Sequence, residues 1–139
     1  MKKKKTALKK CDDEWKRQIK ERANWACEHC GRSKAAGFQV HAHHLIHRNR
    51  HFFRHNLNNG ICLCATCHAL GGNFSAHCTP WTFDEWLKKA KPEQWAWFEK
   101  NRYKTFPGLK IDYEAVLETL KEQANETDTG DRDTGQSEE

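Results

Sequence analysis

Cys27-Glu28-His29-Cys30, Val40-His41-Ala42-His43-His44-Leu45-Ile46 and Asn58-Asn59-Gly60-Ile61-Cys62-Leu63-Cys64-Ala65-Thr66-Cys67-His68 are the runs on which the reading of this 139-residue chain turns. The first and third each hold a Cys-x-x-Cys knuckle. That spacer lets two sulfurs reach one centre at about 2.3 Å, and four thiolates suit a borderline-soft ion. Cys27, Cys30, Cys64 and Cys67 are therefore expected to form a tetrahedral four-cysteine site for a structural Zn2+. Cys62-Leu63-Cys64 is a nearer but poorer chelating pair, and Cys62, flanked by apolar residues, reads as a small buried thiol. Cys11 and Cys78 read as free thiols without a role. Cys64-Ala65-Thr66-Cys67-His68 also spells a c-type haem attachment signature, a reading that leaves Cys27 and Cys30 without a function.

Between the knuckles, Phe38 to Ile46 alternates in character and predicts a strand. Asn58-Asn59-Gly60 is a turn signal, and Ile61-Cys62-Leu63 predicts the second strand. A helix should begin past Cys67 and be stopped early by Gly71-Gly72. Upstream, Asp12 as cap with Trp15, Ile19, Ala23 and Ala26 at helical spacing predicts an amphipathic helix that delivers Cys27. Downstream, Thr82-Phe83-Asp84-Glu85 reads as a capping box, Pro92 opens another helix, and Tyr113, Val116, Leu117 and Leu120 stripe a last one over Asp112 to Gln123. Trp81, Trp86, Trp95 and Trp97 are read as packing residues rather than as a partner surface.

At 16.3 kDa, with 37% hydrophobic and 31% charged residues, the chain supports one domain with a lean core, for which a bound metal would supply missing stability. Seven cysteines, an odd number, argue against a fully paired disulfide framework, and Met1 to Lys10 has charge but no apolar stretch to act as a signal. The expectation is a cytoplasmic protein with reduced thiols, and no apolar window is long enough for a membrane span. Lys2 to Lys10 carry six lysines, and Glu122 to Glu139 carry seven acids against Arg132, so the tails nearly cancel within the net charge of +5. Residues 1–10 read as a flexible basic arm and 124–139 as a disordered acidic tail. No Asp or Glu lies between Glu28 and Asp84, whereas all nine histidines lie there. An acid-free segment suits a polyanion, with Arg48, Arg50 and Arg54 in the inter-strand loop as the candidate phosphate contacts.

The runs Val40 to Leu45, Asn59 to Cys64 and Cys64 to His68, in that order and spacing, resemble the His-Asn-His (HNH) endonuclease family. The resemblance is to the subclass whose ββα-metal (His-Me finger) core is braced by two zinc knuckles, and it covers Cys27 to His68, reaching His77. It implies a small α+β fold: a motif core over 27–77 with a four-cysteine zinc site, within a nuclease domain over 11–123, flanked by an N-terminal helix and C-terminal helices over 82–123. It implies hydrolysis of phosphodiester bonds in DNA, with RNA not excluded, by nicking or double-strand cutting. His44 would be the general base and His43 and His68 ligands of one catalytic divalent metal. Asn59 would pin the strands together or orient His44. Family members often place a ligand one helical turn after the Cys-His histidine, but Gly72 stands there, which leaves His77, or else Asn73, as third ligand. Many members carry Asp where this chain has His43. An all-imidazole site offers Mg2+ few oxygen ligands, so Mn2+, Ni2+, Co2+ or Zn2+ should serve at least as well. Small single-domain nucleases of phages and mobile elements imply a further protein partner. The rival reading is a non-catalytic zinc-stapled module that binds nucleic acid through the same basic surface.

The chemistry agrees with the residue types. Phosphodiester hydrolysis needs a base for water, a cation for the developing charge, and a group that fixes the base's tautomer. Neighbouring strand residues point to opposite faces, so His43 and His44 cannot serve one ligand identically.

Overall fold

The structure, a computed structural model, describes residues 5–138, with side chains as far as Glu126. Among the described residues it is a small α+β fold of four α-helices around a two-stranded antiparallel sheet. The order is α1 (Ala7–Arg22), β1 (Val40–His44), a 3-10 turn (Leu57–Asn59), β2 (Gly60–Cys64), one π-helical turn (Thr66–Leu70), α2 (Pro80–Ala90), α3 (Pro92–Asn101) and α4 (Tyr113–Glu138).

The sheet has two differently occupied faces. Register pairs His43 with Ile61 and His41 with Leu63, while Ala42 lies opposite Cys62 and His44 opposite Gly60. Ile61 and Leu63 pack with Phe83 and Leu87 of α2 and with three of the knuckle cysteines. Cys62 turns to the other face, where it packs with Cys11, Trp15 and Ile19 of α1 and Leu120 of α4. β2 is buried from end to end, which is why its apolar residues do not alternate with polar ones. Gly60 lets α1 approach: a Cβ there would lie 2.5 Å from Ile19 Cδ1 and 2.6 Å from Trp15 Cζ2.

Several boundaries differ from the sequence expectation. α1 starts at Ala7, with the Thr6 hydroxyl accepting from the Lys9 amide at 3.2 Å, so Asp12 is not a cap and part of the basic arm is helical. The remaining lysines of that arm, Lys2 to Lys4, lie outside the described residues. Cys11 extends the stripe of Trp15 and Ile19 by one turn, is fully buried, and donates to the Tyr113 carbonyl at 3.0 Å. The lysine run conceals this turn because charge reads as solvation, whereas helix propensity of Ala, Leu and Lys favours it. α1 stops at Arg22, where Asn24 and Trp25 take positive φ, so it does not run into Cys27. α2 begins at Pro80, two residues ahead of Thr82, and the expected capping box is absorbed into its first turns. α3 opens at Pro92 as predicted. α4 passes the expected end at Gln123 and carries helical backbone through the segment expected to be a disordered tail; no proline breaks it. Trp81, expected to pack, is 82% exposed. No helix among the described residues is long and apolar enough to cross a membrane.

Candidate metal centres and the histidine cavity

The two knuckles meet. Cys27, Cys30, Cys64 and Cys67 bring their sulfurs within 4.8 Å of one another, a group that can hold a structural zinc. Cys30 Sγ and Cys64 Sγ are 3.6 Å apart, close to the roughly 3.8 Å edge of a tetrahedron with 2.3 Å metal–sulfur bonds. Within each knuckle a backbone amide donates to sulfur, Cys30 N to Cys27 Sγ and Cys67 N to Cys64 Sγ, both at 3.5 Å. Burial would raise the Cys64 thiol, but the Cys67 amide, the neighbouring Cys30 and Cys67 thiols and the Arg32 guanidinium bring it down to about 7. The first knuckle is sewn to β2 by Glu28. Its amide donates to the Cys62 carbonyl at 2.8 Å, its carboxylate accepts from the Cys62 amide at 2.7 Å, and Lys91 pairs with it at 3.0 Å. Cys62 itself faces α1, away from the cluster, and burial, then Glu28, push its thiol up to about 11.

His29 lies between the cysteines of the first knuckle. Its Nδ1 is 3.3 Å from Cys67 Sγ, and its ring stacks on Phe74 at 3.6 Å and 6°. Phe74 belongs to the segment that returns after Gly71-Gly72. There Ala76 N donates to Cys67 O at 2.8 Å and His77 N to His68 O at 3.0 Å, which lays His77 against His68.

A second metal-competent group results. His43, His68 and His77 bring ring nitrogens within 4.8 Å of one another, with the two Nε2 atoms of His68 and His77 at 3.1 Å. Asn73, the alternative to His77, is exposed. His41 lies 5.1 Å ring to ring from His68, and its Nε2 is buried without a hydrogen-bond partner. Burial, reinforced by the neighbouring rings, pushes His43 down to about 3 and His68 to about 4. Both are therefore neutral near pH 7, the form that ligates metal.

His44 faces the other way. Its ring stacks on Trp15 at 4.0 Å and 11°, and its Nε2 lies 3.0 Å from the Arg54 carbonyl. A carbonyl only accepts, so Nε2 carries the proton and Nδ1 keeps a free lone pair. Burial brings this ring down to about 4. His44 and the three-histidine group line one cavity of about 640 Å³, together with Lys16, Lys20, Arg48 and Asp84.

Other expected residues take different places. Asn59 is fully buried, and its side-chain hydrogen bonds go elsewhere than to His44. Its Nδ2 donates to the Ile46 and Phe53 carbonyls at 3.0 and 3.1 Å, and its Oδ1 accepts from the Ile46 amide at 2.6 Å, so it staples the inter-strand loop to the start of β2. Arg54, expected to face phosphate, is instead bound through two nitrogens to Asp12 at 2.9 and 2.8 Å, and His55 joins the same carboxylate at 2.7 Å. Arg50 donates to the carbonyls of Arg102 and Lys104. Of the three arginines only Arg48 lines the cavity, and Lys16 and Lys20 take the positions of the other two. The sequence signal for these lysines is their i, i+4 spacing one residue after Trp15 and Ile19. Asp12 holds Arg54, and Arg54 holds His44; no local pattern announces that contact across 42 residues.

The buried neutral imidazoles predict an acid limb of stability. His43, His44 and His68 have folded values below the unfolded value near 6.5, so the folded state binds fewer protons. Stability should be level above about pH 7 and fall as pH drops below about 6.5 toward 4. Thermal melts over pH 8 to 5 should lose about 5 °C or more. His44→Gln keeps a donor for the Arg54 carbonyl without a titrating ring and should flatten part of that slope; an unchanged slope would remove His44 from the account.

In comparisons with known proteins, no family, no curated protein and no solved structure matches the chain.

Proposed function

We propose that the chain is a metal-dependent endonuclease of the HNH type, hydrolysing phosphodiester bonds in DNA. β1, β2 and the π-helical turn would be its ββα-metal core. The observation that carries the reading is the pairing, in one cavity, of a histidine with an oriented free Nδ1 and a separate cluster of three histidines.

The donor set fits a divalent cation. Three imidazole nitrogens on different segments converge, and burial keeps His43 and His68 neutral near pH 7. When bound by His43, His68 and His77, such an ion supplies the positive charge that stabilises the phosphorane-like transition state and the leaving oxygen. His44 Nδ1 takes the proton of the attacking water. The Arg54 carbonyl and the Trp15 ring hold His44 in the tautomer and plane that direct Nδ1 outward, and Asp12 holds Arg54. Lys16, Lys20 and Arg48 attract the polyanion and steady the scissile phosphate. Asn59 acts at one remove, keeping the loop that ends in Arg54 in register with β2.

Incubation with supercoiled plasmid under separate divalent ions tests the reading. Mn2+, Ni2+, Co2+ or Zn2+ should support relaxation or linearisation at rates at least equal to Mg2+, because nitrogen ligands suit these ions better. A series in which Mg2+ clearly leads would count against the all-histidine site, and a plasmid left intact by every ion would overturn the nuclease reading.

A further inference from the structure

The inter-strand loop serves two hollows. Arg48 lines the histidine cavity. Immediately beyond it, the chain enters a separate hollow of about 300 Å³ walled by Phe52, Phe53, Phe106 and Leu109, with Arg50 and Lys104 among its lining. Phe52, Phe106 and Leu109 are 51%, 42% and 50% exposed, a concentration of apolar surface that folding alone leaves unexplained.

This hollow is held open by fixed parts. Phe52 and Phe106 meet ring to ring at 4.1 Å and 32°. Phe53 backs them, 3% exposed and packed with Ile46 and Phe98, and its ring stands at 90° to that of Phe52. Arg50 ties the loop to the 102–106 segment through the carbonyls of Arg102 and Lys104. No carboxylate lines the hollow, and the aromatic faces are flanked by cations.

Flat aromatic surface open to solvent, with adjacent cations and no acid, is the chemistry that takes up a nucleobase and its phosphate. The route from the first hollow is short in physical terms. Phe98, on the wall of the histidine cavity, belongs to the same packed cluster as Phe53, on the wall of the second. We propose that the Phe52–Phe106 hollow is a stacking site for an unpaired nucleotide of the DNA strand whose phosphodiester occupies the histidine cavity. The proposal rests on the nuclease reading and deepens it: the substrate is DNA with a flap, overhang or frayed end rather than blunt duplex.

Photocrosslinking tests it. A single-stranded DNA oligonucleotide carrying 5-iodouracil, irradiated with the chain supplied with one equivalent of zinc, which four thiolates take ahead of three imidazoles, and no other divalent ion, should crosslink at Phe52 or Phe106. Phe52→Leu should lower crosslink yield and oligonucleotide affinity roughly tenfold, and Phe52→Trp should restore both. Affinity for blunt duplex should not change in either variant. Crosslinks confined to other residues, undiminished yield in Phe52→Leu, or an equal loss for blunt duplex would each overturn the site. The assay reads binding without hydrolysis, so plasmid cleavage without a crosslink here removes the stacking site and leaves the nuclease reading. A crosslink without plasmid cleavage does the reverse.

Discussion

His44→Ala is expected to lower plasmid cleavage by roughly 10²–10⁴-fold, the contribution of a positioned general base. Zinc content and affinity for DNA should remain close to those of the unaltered chain. The geometry explains the split. His44 touches neither metal-competent cluster, and the cavity's cations, Lys16, Lys20 and Arg48, do not depend on it. Alanine also removes the ring stacked on Trp15, which costs some packing, so His44→Gln is the sharper companion. Glutamine retains the donor to the Arg54 carbonyl and cannot take a proton, and it should be as inactive as alanine while melting nearer the parent. A non-catalytic nucleic-acid module has no use for a base beside a cluster of ligands. Cleavage that survives both substitutions would assign His44 to packing and remove the proposed mechanism.

The largest effect on stability is expected at the four-cysteine group, from removal of a zinc ion bound there. Stripping it with a chelator, or replacing Cys64 with serine, is expected to abolish the cooperative thermal transition rather than shift it. Structural zinc sites release about 10–16 kcal/mol on binding, comparable with the entire stability of a domain this size, about 5–15 kcal/mol. The core offers little reserve. Cys27, Cys64 and Cys67 are themselves members of the cluster that includes Ile61, Leu63, Phe83 and Leu87, so loss of the ion leaves crowded thiols inside the main packing unit. Calorimetry of stripped and reloaded protein, with metal content measured, makes the comparison. A stripped chain that still melts cooperatively near the loaded one would show that apolar packing suffices.

Legibility in the sequence follows the range of the interactions. The knuckles are readable because ligand spacing is local, the first strand because Val40 to Ile46 alternates in character, and the second because Ile61 to Leu63 follows a plain turn signal. The histidine cluster is readable as far as His68, and no sequence rule chooses His77 over Asn73; the backbone pairing of His77 with His68, which lays the two side by side, is a tertiary contact. The first turn of α1 is hidden under lysines, since a stripe of one cysteine per turn carries less signal than the charges around it. Contacts that close over long separations leave no trace at all. Asp12 with Arg54, Arg50 with the 102–104 carbonyls, and Lys16 and Lys20 in the cavity depend on where α1 and the loop come to rest. Hence the loop arginines, the most prominent cations in the sequence, mainly brace the fold.

Cys67 and His68 are consecutive, and the ring of His29 connects the first knuckle to the segment that returns with His77. A nascent chain cannot assemble the three-histidine group until residue 77 has been synthesised and the sulfur cage behind it has closed. On the proposed reading, an ion bound by the four cysteines would order the segment that carries His68 and His77, so metal supply would set when the three-histidine group forms.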